Sequence, residues 1–111
     1  MSNYLFAYGM FRDAARNLLG KPKHIGRKSV TGTMWRVDPF YPGVVLDNKN
    51  IVWGDLYEID TKVLPELDEF EGEEYSRKII KTQDGIECWI YEWILPTTSF
   101  KMIKSGDWLI R

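Results

Sequence analysis

The 111-residue sequence has one cysteine, Cys88, and one histidine, His24. A lone cysteine cannot close an intrachain disulfide, so a disulfide scaffold and a zinc site built on paired cysteines are both excluded. A lone histidine excludes a multi-histidine metal centre, and no metal is expected. Charge of either sign is also not in excess: 15 Lys+Arg stand against 16 Asp+Glu, a formal net charge of -1. That balance supplies no general pull toward nucleic acid or an anionic membrane surface. No apolar run approaches the roughly 20 residues of a membrane span. Met1 to Phe11 has no basic segment leading into a long apolar one, so no signal peptide is expected. The expected compartment is a reducing one, the cytoplasm.

What is present describes an ordinary globular chain. Hydrophobic residues make up 44% and charged residues 28%, a composition that argues against disorder. At this length a single domain over residues 1–111 is expected. Aromatic residues reach 14%, with five Trp and six Tyr, and give a small core much buried area per side chain. Charge is unevenly spread along the chain. Before Trp35 the basic residues Arg12, Arg16, Lys21, Lys23, Arg27 and Lys28 face Asp13 alone. From Asp55 to Glu74 acids dominate, with Lys62 the one base. Two solvated faces account for this, although a basic face near an acidic one also suits a zwitterionic ligand.

The patterning predicts six short strands and two short helices. Asn3–Tyr8 reads as a first strand, Ala14–Leu19 as a short helix ended by Gly20, and Ser29–Val37 as a second strand rich in β-branched and aromatic residues. Asp38–Gly43 reads as a turn-rich loop, Val44–Leu46 and Ile51–Ile59 as strands, and Thr61–Phe70 as a helix. Tyr75–Thr82 and Ile86–Ile94 flank Gln83-Asp84-Gly85 as a hairpin. Trp108, Leu109 and Ile110 are expected to pack back on the body. The sum is an α+β domain, a small antiparallel, barrel-like mixed sheet with two short helices.

One acid falls on the wrong side of its helix. Leu64, Leu67 and Glu71 share a face at i, i+3 and i+7, so Glu71 continues an apolar stripe where the helix meets Gly72. Glu66, Asp68, Glu69 and Glu73 point elsewhere and stay wet. A desolvated carboxylate has a raised pKa, raised further by nearby acids, and can exchange protons near neutral pH. The alternative is a helix-terminal Glu that turns into solvent or pairs with Arg77. A second feature is the turn Tyr8-Gly9-Met10-Phe11-Arg12, where a strand ends at a glycine. Free N–H groups there suit a carboxylate or oxyanion, although a plain turn explains one glycine equally well. Phosphate-loop and dinucleotide motifs are missing, and Ser29, Ser76, Ser99 and Ser105 lack a nucleophile-elbow setting. Cys88 reads as a buried inert thiol, and His24 as a solvent-facing loop residue.

Four segments in order resemble the γ-glutamylcyclotransferase-like family, of the γ-glutamylamine cyclotransferase type. Leu5-Phe6-Ala7-Tyr8-Gly9-Met10-Phe11-Arg12 is similar to its aliphatic strand followed by Tyr-Gly-Ser/Thr-Leu. Tyr41-Pro42-Gly43-Val44-Val45 resembles its mid-chain proline loop, and Val52-Trp53-Gly54-Asp55-Leu56-Tyr57-Glu58-Ile59 its Gly-x-Leu-Tyr strand. Leu67-Asp68-Glu69-Phe70-Glu71-Gly72 with Tyr75-Ser76-Arg77 resembles its Leu-Asp-x-x-Glu-Gly signature and following Tyr-x-Arg. Two positions depart from the pattern: Met10 stands for a small hydroxylated residue and Phe11 for leucine, which puts pocket size and substrate choice in question.

The resemblance implies a small α+β barrel-like fold and a cofactor-independent enzyme. It implies conversion of a γ-glutamyl amine or γ-glutamyl amino acid into 5-oxoproline and free amine. It makes Glu71 the catalytic base and acid, and Tyr8, Gly9, Met10, Phe11 and Tyr75 the substrate-binding residues. The implied partner is a small molecule, with neither nucleic acid nor membrane. A non-catalytic module binding a small metabolite on the same fold is the alternative.

Overall fold

The computed structural model describes residues 2–9, 20 and 22–111. Among them are eight strands: β1 (Tyr4–Ala7), β2 (Lys23–Thr31), β3 (Thr33–Arg36), β4 (Gly43–Val45), β5 (Ile51–Glu58), β6 (Tyr75–Lys81), β7 (Glu87–Trp93) and β8 (Lys101–Met102). A 3-10 turn, Thr61–Val63, leads into the helix α1, Leu64–Glu71. Five strands form a sheet in the order β2-β5-β1-β7-β6, and three form a smaller one in the order β4-β3-β8. The architecture is α+β, with a curled and unclosed mixed sheet. It is mixed because β1 runs antiparallel to β5 but parallel to β7. No helix among the described residues is long and apolar enough to cross a membrane.

The central strand β1 is buried on both faces, which explains its continuous apolar character. Along β1, Phe6 joins Val52, Leu56, Cys88, Ile90 and Trp108 on one side of the sheet. Leu5 and Ala7 join Tyr57, Leu64, Leu67 and Tyr91 on the other. Strand geometry alternates these neighbours by construction. The first side is closed by the small sheet through Met34, Val44 and Ile103. The second is covered by α1, whose Leu64 and Leu67 are 4% and 0% exposed.

The patterned elements recur with small shifts. The expected hairpin pairs β6 with β7 from Tyr75↔Trp93 to Lys81↔Glu87. Its turn is closed by the Gly85 N–H donating to the Thr82 carbonyl at 2.9 Å. The helix near Thr61–Phe70 begins as a 3-10 turn and extends one residue further, to Glu71.

The N-terminal part of β2 is a departure. His24 lies in a nine-residue strand rather than a loop, although it is exposed. β2 is an edge strand with water on most of its first half, so its side chains show no two-residue apolar alternation to read. The expected strand Ser29–Val37 is two strands. The chain leaves the large sheet at Gly32, whose N–H donates to Asn50, and β3 enters the small one. Trp108 packs into the core at 2% exposure, but Leu109 and Ile110 remain 63% and 68% exposed. The expected helix Ala14–Leu19 lies outside the described residues.

Candidate active site

Glu71 is the last residue of α1. Because Leu64 and Leu67 are pinned into the core, the helical repeat carries Glu71 round to the same side, where it lines a cavity of about 380 Å³. Gly72 ends the helix at φ +76°, a conformation that favours glycine, and its N–H donates to the Asp68 carbonyl at 3.1 Å. Burial pushes the Glu71 carboxyl up to about 7. The neighbouring acids expected to raise it further are not part of the cause; desolvation alone produces the shift. Glu71 forms no hydrogen bond or ion pair among the described residues. The alternative pairing with Arg77 is not formed, because Arg77 Nε lies 3.1 Å from Asp68 Oδ1 instead.

Tyr8, Tyr75 and Tyr91 line the same cavity above a floor that includes Phe6. The Tyr75 hydroxyl donates to the Pro42 carbonyl at 2.7 Å. The Tyr8 hydroxyl donates to the Tyr91 carbonyl. Burial, with the Glu71 charge among the further causes, holds all three phenols above their ordinary range. They therefore stay neutral at any physiological pH. With their protons committed to protein acceptors, the hydroxyl oxygens of Tyr8 and Tyr75 still have lone pairs for a donor on a ligand.

The loop from β3 to β4 closes the cavity with Phe40, Tyr41 and Pro42. Gly9 sits directly beneath Pro42: it has φ +67°, and a Cβ there would lie 2.4 Å from Pro42 Cδ. Only glycine fits this approach. The Tyr-Gly turn, the proline loop, the helix-end glutamate and Tyr75 are thus brought to one place from separate parts of the sequence. Met10 and Phe11 lie outside the described residues.

Three contributors were not legible beforehand. Asp68, expected to be wet, accepts a hydrogen bond from the Tyr91 hydroxyl at 2.7 Å and pairs with Arg77. Arg77 in turn stacks over the Trp89 ring at 4.5 Å. Tyr91 and Glu74 join the lining without any motif announcing them; the buried-face position of Tyr91 in β7 was the one available signal. His24 and Cys88 take no part. His24 Nε2 lies 3.0 Å from Asp55 Oδ1 on the far edge of the sheet. Burial pushes the Cys88 thiol up to about 12, which leaves it unreactive.

Glu71, with its raised pKa, and the tyrosines Tyr8, Tyr75 and Tyr91 thus line one cavity on a curled α+β sheet, with Gly9 packed under its proline loop. The chain belongs to the gamma-glutamyl cyclotransferase, AIG2-like family, whose model matches residues 5–110. It is 35% identical over 111 residues to the gamma-glutamylcyclotransferase family protein YtfP of Escherichia coli K12, covering 96% of each chain. The solution structure of the Escherichia coli protein ytfP superposes with a TM-score of 0.75 at 33% identity, again covering 96% of both chains. The gamma-L-glutamyl-butirosin B gamma-glutamyl cyclotransferase of Niallia circulans is 32% identical over 79% of this chain and 58% of its own length.

Proposed function

We propose that this protein is a γ-glutamylcyclotransferase that converts a γ-glutamyl amine or γ-glutamyl amino acid into 5-oxoproline and the free amine. Glu71 acts first as base and then as acid. The observation that carries the reading is Glu71 itself, half-buried in the cavity with its pKa pushed up to about 7.

The nucleophile is the substrate's own α-amino group, protonated in water near pH 7. Ionised Glu71 takes one of its protons. The freed nitrogen attacks the γ-carbonyl carbon, and a five-membered ring closes around a tetrahedral oxyanion. The oxyanion collapses, the bond to the leaving nitrogen breaks, and Glu71 returns the first proton to the departing amine; the ring nitrogen gives up its second proton, which the released amine takes as it leaves as an ammonium. Atoms and electrons balance without a co-reactant.

A carboxyl titrating near 7 is matched to both halves of this cycle. Because attack is intramolecular, a cavity that holds the glutamyl chain folded supplies much of the rate. In this reading Tyr8 and Tyr75 hold the glutamyl group. The backbone N–H groups after Gly9, with Met10 and Phe11, receive its α-carboxylate or the oxyanion. The protein acts as one domain over residues 1–111 in the cytoplasm, without a cofactor.

The test is incubation with a panel of γ-glutamyl amines, γ-glutamyl amino acids and glutathione, with mass-spectrometric detection of 5-oxoproline. Release by wild type and not by Glu71→Gln supports the reading. Binding without turnover by folded wild-type protein would instead indicate a metabolite-binding module.

A further inference from the structure

Tyr75 and Tyr91 line a second cavity, of about 390 Å³, in addition to the one that holds Glu71. Asp68, Gly72, Arg77 and Trp89 are among its other walls. The chemistry assigned to Glu71 uses none of their polar groups directly. Arg77 Nε lies 3.1 Å from Asp68 Oδ1, and the guanidinium lies over the Trp89 ring at 4.5 Å. That guanidinium donates no hydrogen bond among the described residues. Asp68 Oδ1 accepts from the Tyr91 hydroxyl, whereas Oδ2 accepts from none of the described residues. The Arg77 and Asp68 side chains are 26% and 43% exposed, so both charges are within reach of a ligand.

A guanidinium held against a ring has a fixed plane. Its outer N–H groups form a fork that matches a carboxylate through two parallel hydrogen bonds. The carboxylate of Asp68 beside it suits an ammonium. A simple anion is repelled by Asp68, and a simple amine by Arg77. A molecule carrying both charges a few atoms apart satisfies both groups at once. Tyr75 and Tyr91 add ring surface for an apolar substituent. Gly72 leaves room for it: even an added Cβ there would meet nothing within 4 Å among the described residues.

We propose that this cavity is a regulatory site for a free α-amino acid with an apolar side chain. The α-carboxylate sits on the Arg77 fork, the α-ammonium on Asp68 Oδ2, and the side chain against Tyr75 and Tyr91. Occupancy reaches Glu71 through Asp68, which stands three residues earlier on α1. A ligand that bridges Arg77 and Asp68 binds best when the two are held side by side, as they are here. It therefore favours the arrangement in which β6 and β7 fix the last turn of α1, and with it Glu71. The site itself goes beyond the cyclotransferase reading, and only its effect on rate rests on that reading.

The experiment titrates the full chain with L-leucine, its des-amino analogue 4-methylpentanoate and its des-carboxy analogue 3-methylbutylamine, followed by NMR. Leucine is expected to shift the Trp89 indole N–H and the Gly72 amide saturably, and to bind about tenfold more tightly than either analogue. Arg77→Lys keeps the charge but loses the fork, and is expected to weaken leucine about tenfold. Glu71→Gln binds leucine as wild type does. In steady-state assays of 5-oxoproline release, leucine raises kcat without raising KM. Equal affinity for the three probes, or no shift at Trp89, overturns the site. Leucine acting only as a competitor that raises KM, with Trp89 unmoved, places it in the Glu71 cavity and overturns the site as well. Binding at Trp89 with kcat unchanged overturns the regulatory role. If folded protein turns over no γ-glutamyl substrate, that role falls with the cyclotransferase reading, while the Trp89 titration still decides the site.

Discussion

The Tyr91 hydroxyl donates to Asp68 Oδ1 at 2.7 Å, and Asp68 lies three residues before Glu71 on the same helix. One hydrogen bond thus ties the last turn of α1 to β7, the strand whose Tyr91 carbonyl also receives the Tyr8 hydroxyl. Arg77 holds the same Asp68 oxygen from β6 at 3.1 Å. The rotation of the helix about its axis, and with it the direction of Glu71, is set from two strands.

Asp68→Asn retains an oxygen that accepts from Tyr91 but removes the charge facing Arg77. The expected result is a kcat about tenfold lower with KM little changed, because the defect lies in the aim of Glu71. Asp68→Ala removes both contacts and is expected to cost about 1–3 kcal/mol of stability as well. Steady-state kinetics beside urea melts separate the two effects. Equal kcat in wild type and both variants would show that Asp68 does not position Glu71.

The raised pKa of Glu71 makes a stability prediction with a definite sign. In the unfolded chain the carboxyl ionises at about 4.5, whereas in the folded one it holds its proton until about 7. The folded state therefore binds more protons between those values, and stability falls as pH rises through that window. Glu71→Gln removes the loss. It is expected to match wild type below pH 4.5 and to be more stable by about 2 kcal/mol at pH 8, after discounting for partial exposure. Urea melts at the two pH values test this, and a variant less stable than wild type at pH 8 would refute it.

The same group predicts the pH dependence of activity. The base form is required to start the reaction, so kcat/KM should rise tenfold per unit on the acid side and bend near pH 7. A limb bending near 4.5 would place an ordinary, solvated carboxylate in the role.

Gly9 and Gly20 form a matched pair for testing the turn. Both have positive φ, +67° and +75°, but a Cβ at Gly9 meets Pro42 at 2.4 Å while one at Gly20 meets nothing within 4 Å among the described residues. Gly20→Ala carries only the backbone strain, about 1 kcal/mol. Gly9→Ala must also displace the proline loop and is expected to cost at least about 2 kcal/mol more and to raise KM, since that loop lines the cavity. Thermal melts compare them directly, and equal costs would show that the Gly9–Pro42 approach matters little.

Much of this arrangement was legible because burial writes itself into periodicity. The three-then-four spacing of Leu64, Leu67 and Glu71 identifies the helix face, and the Asp84-Gly85 turn identifies the hairpin. What stayed hidden lay where burial is one-sided or shared. The first half of β2 is polar because it is a wet edge. β8 is two residues long. Asp68 looked solvated because its partners, Tyr91 and Arg77, come from other strands. Glu74 and Phe40 line one cavity only because the β3–β4 loop and the end of α1 come together in the fold, a juxtaposition no local pattern encodes.

The central claim is that Glu71 drives an internal attack by the substrate's amine. Turnover of a γ-glutamyl amine in water enriched in oxygen-18 tests it most directly, with wild type and Glu71→Gln run side by side. Unlabelled 5-oxoproline and no glutamate are expected from wild type, and a rate lower by roughly 10²–10⁴ from the variant. Labelled glutamate, the product of attack by water, or equal 5-oxoproline from both proteins, would contradict it.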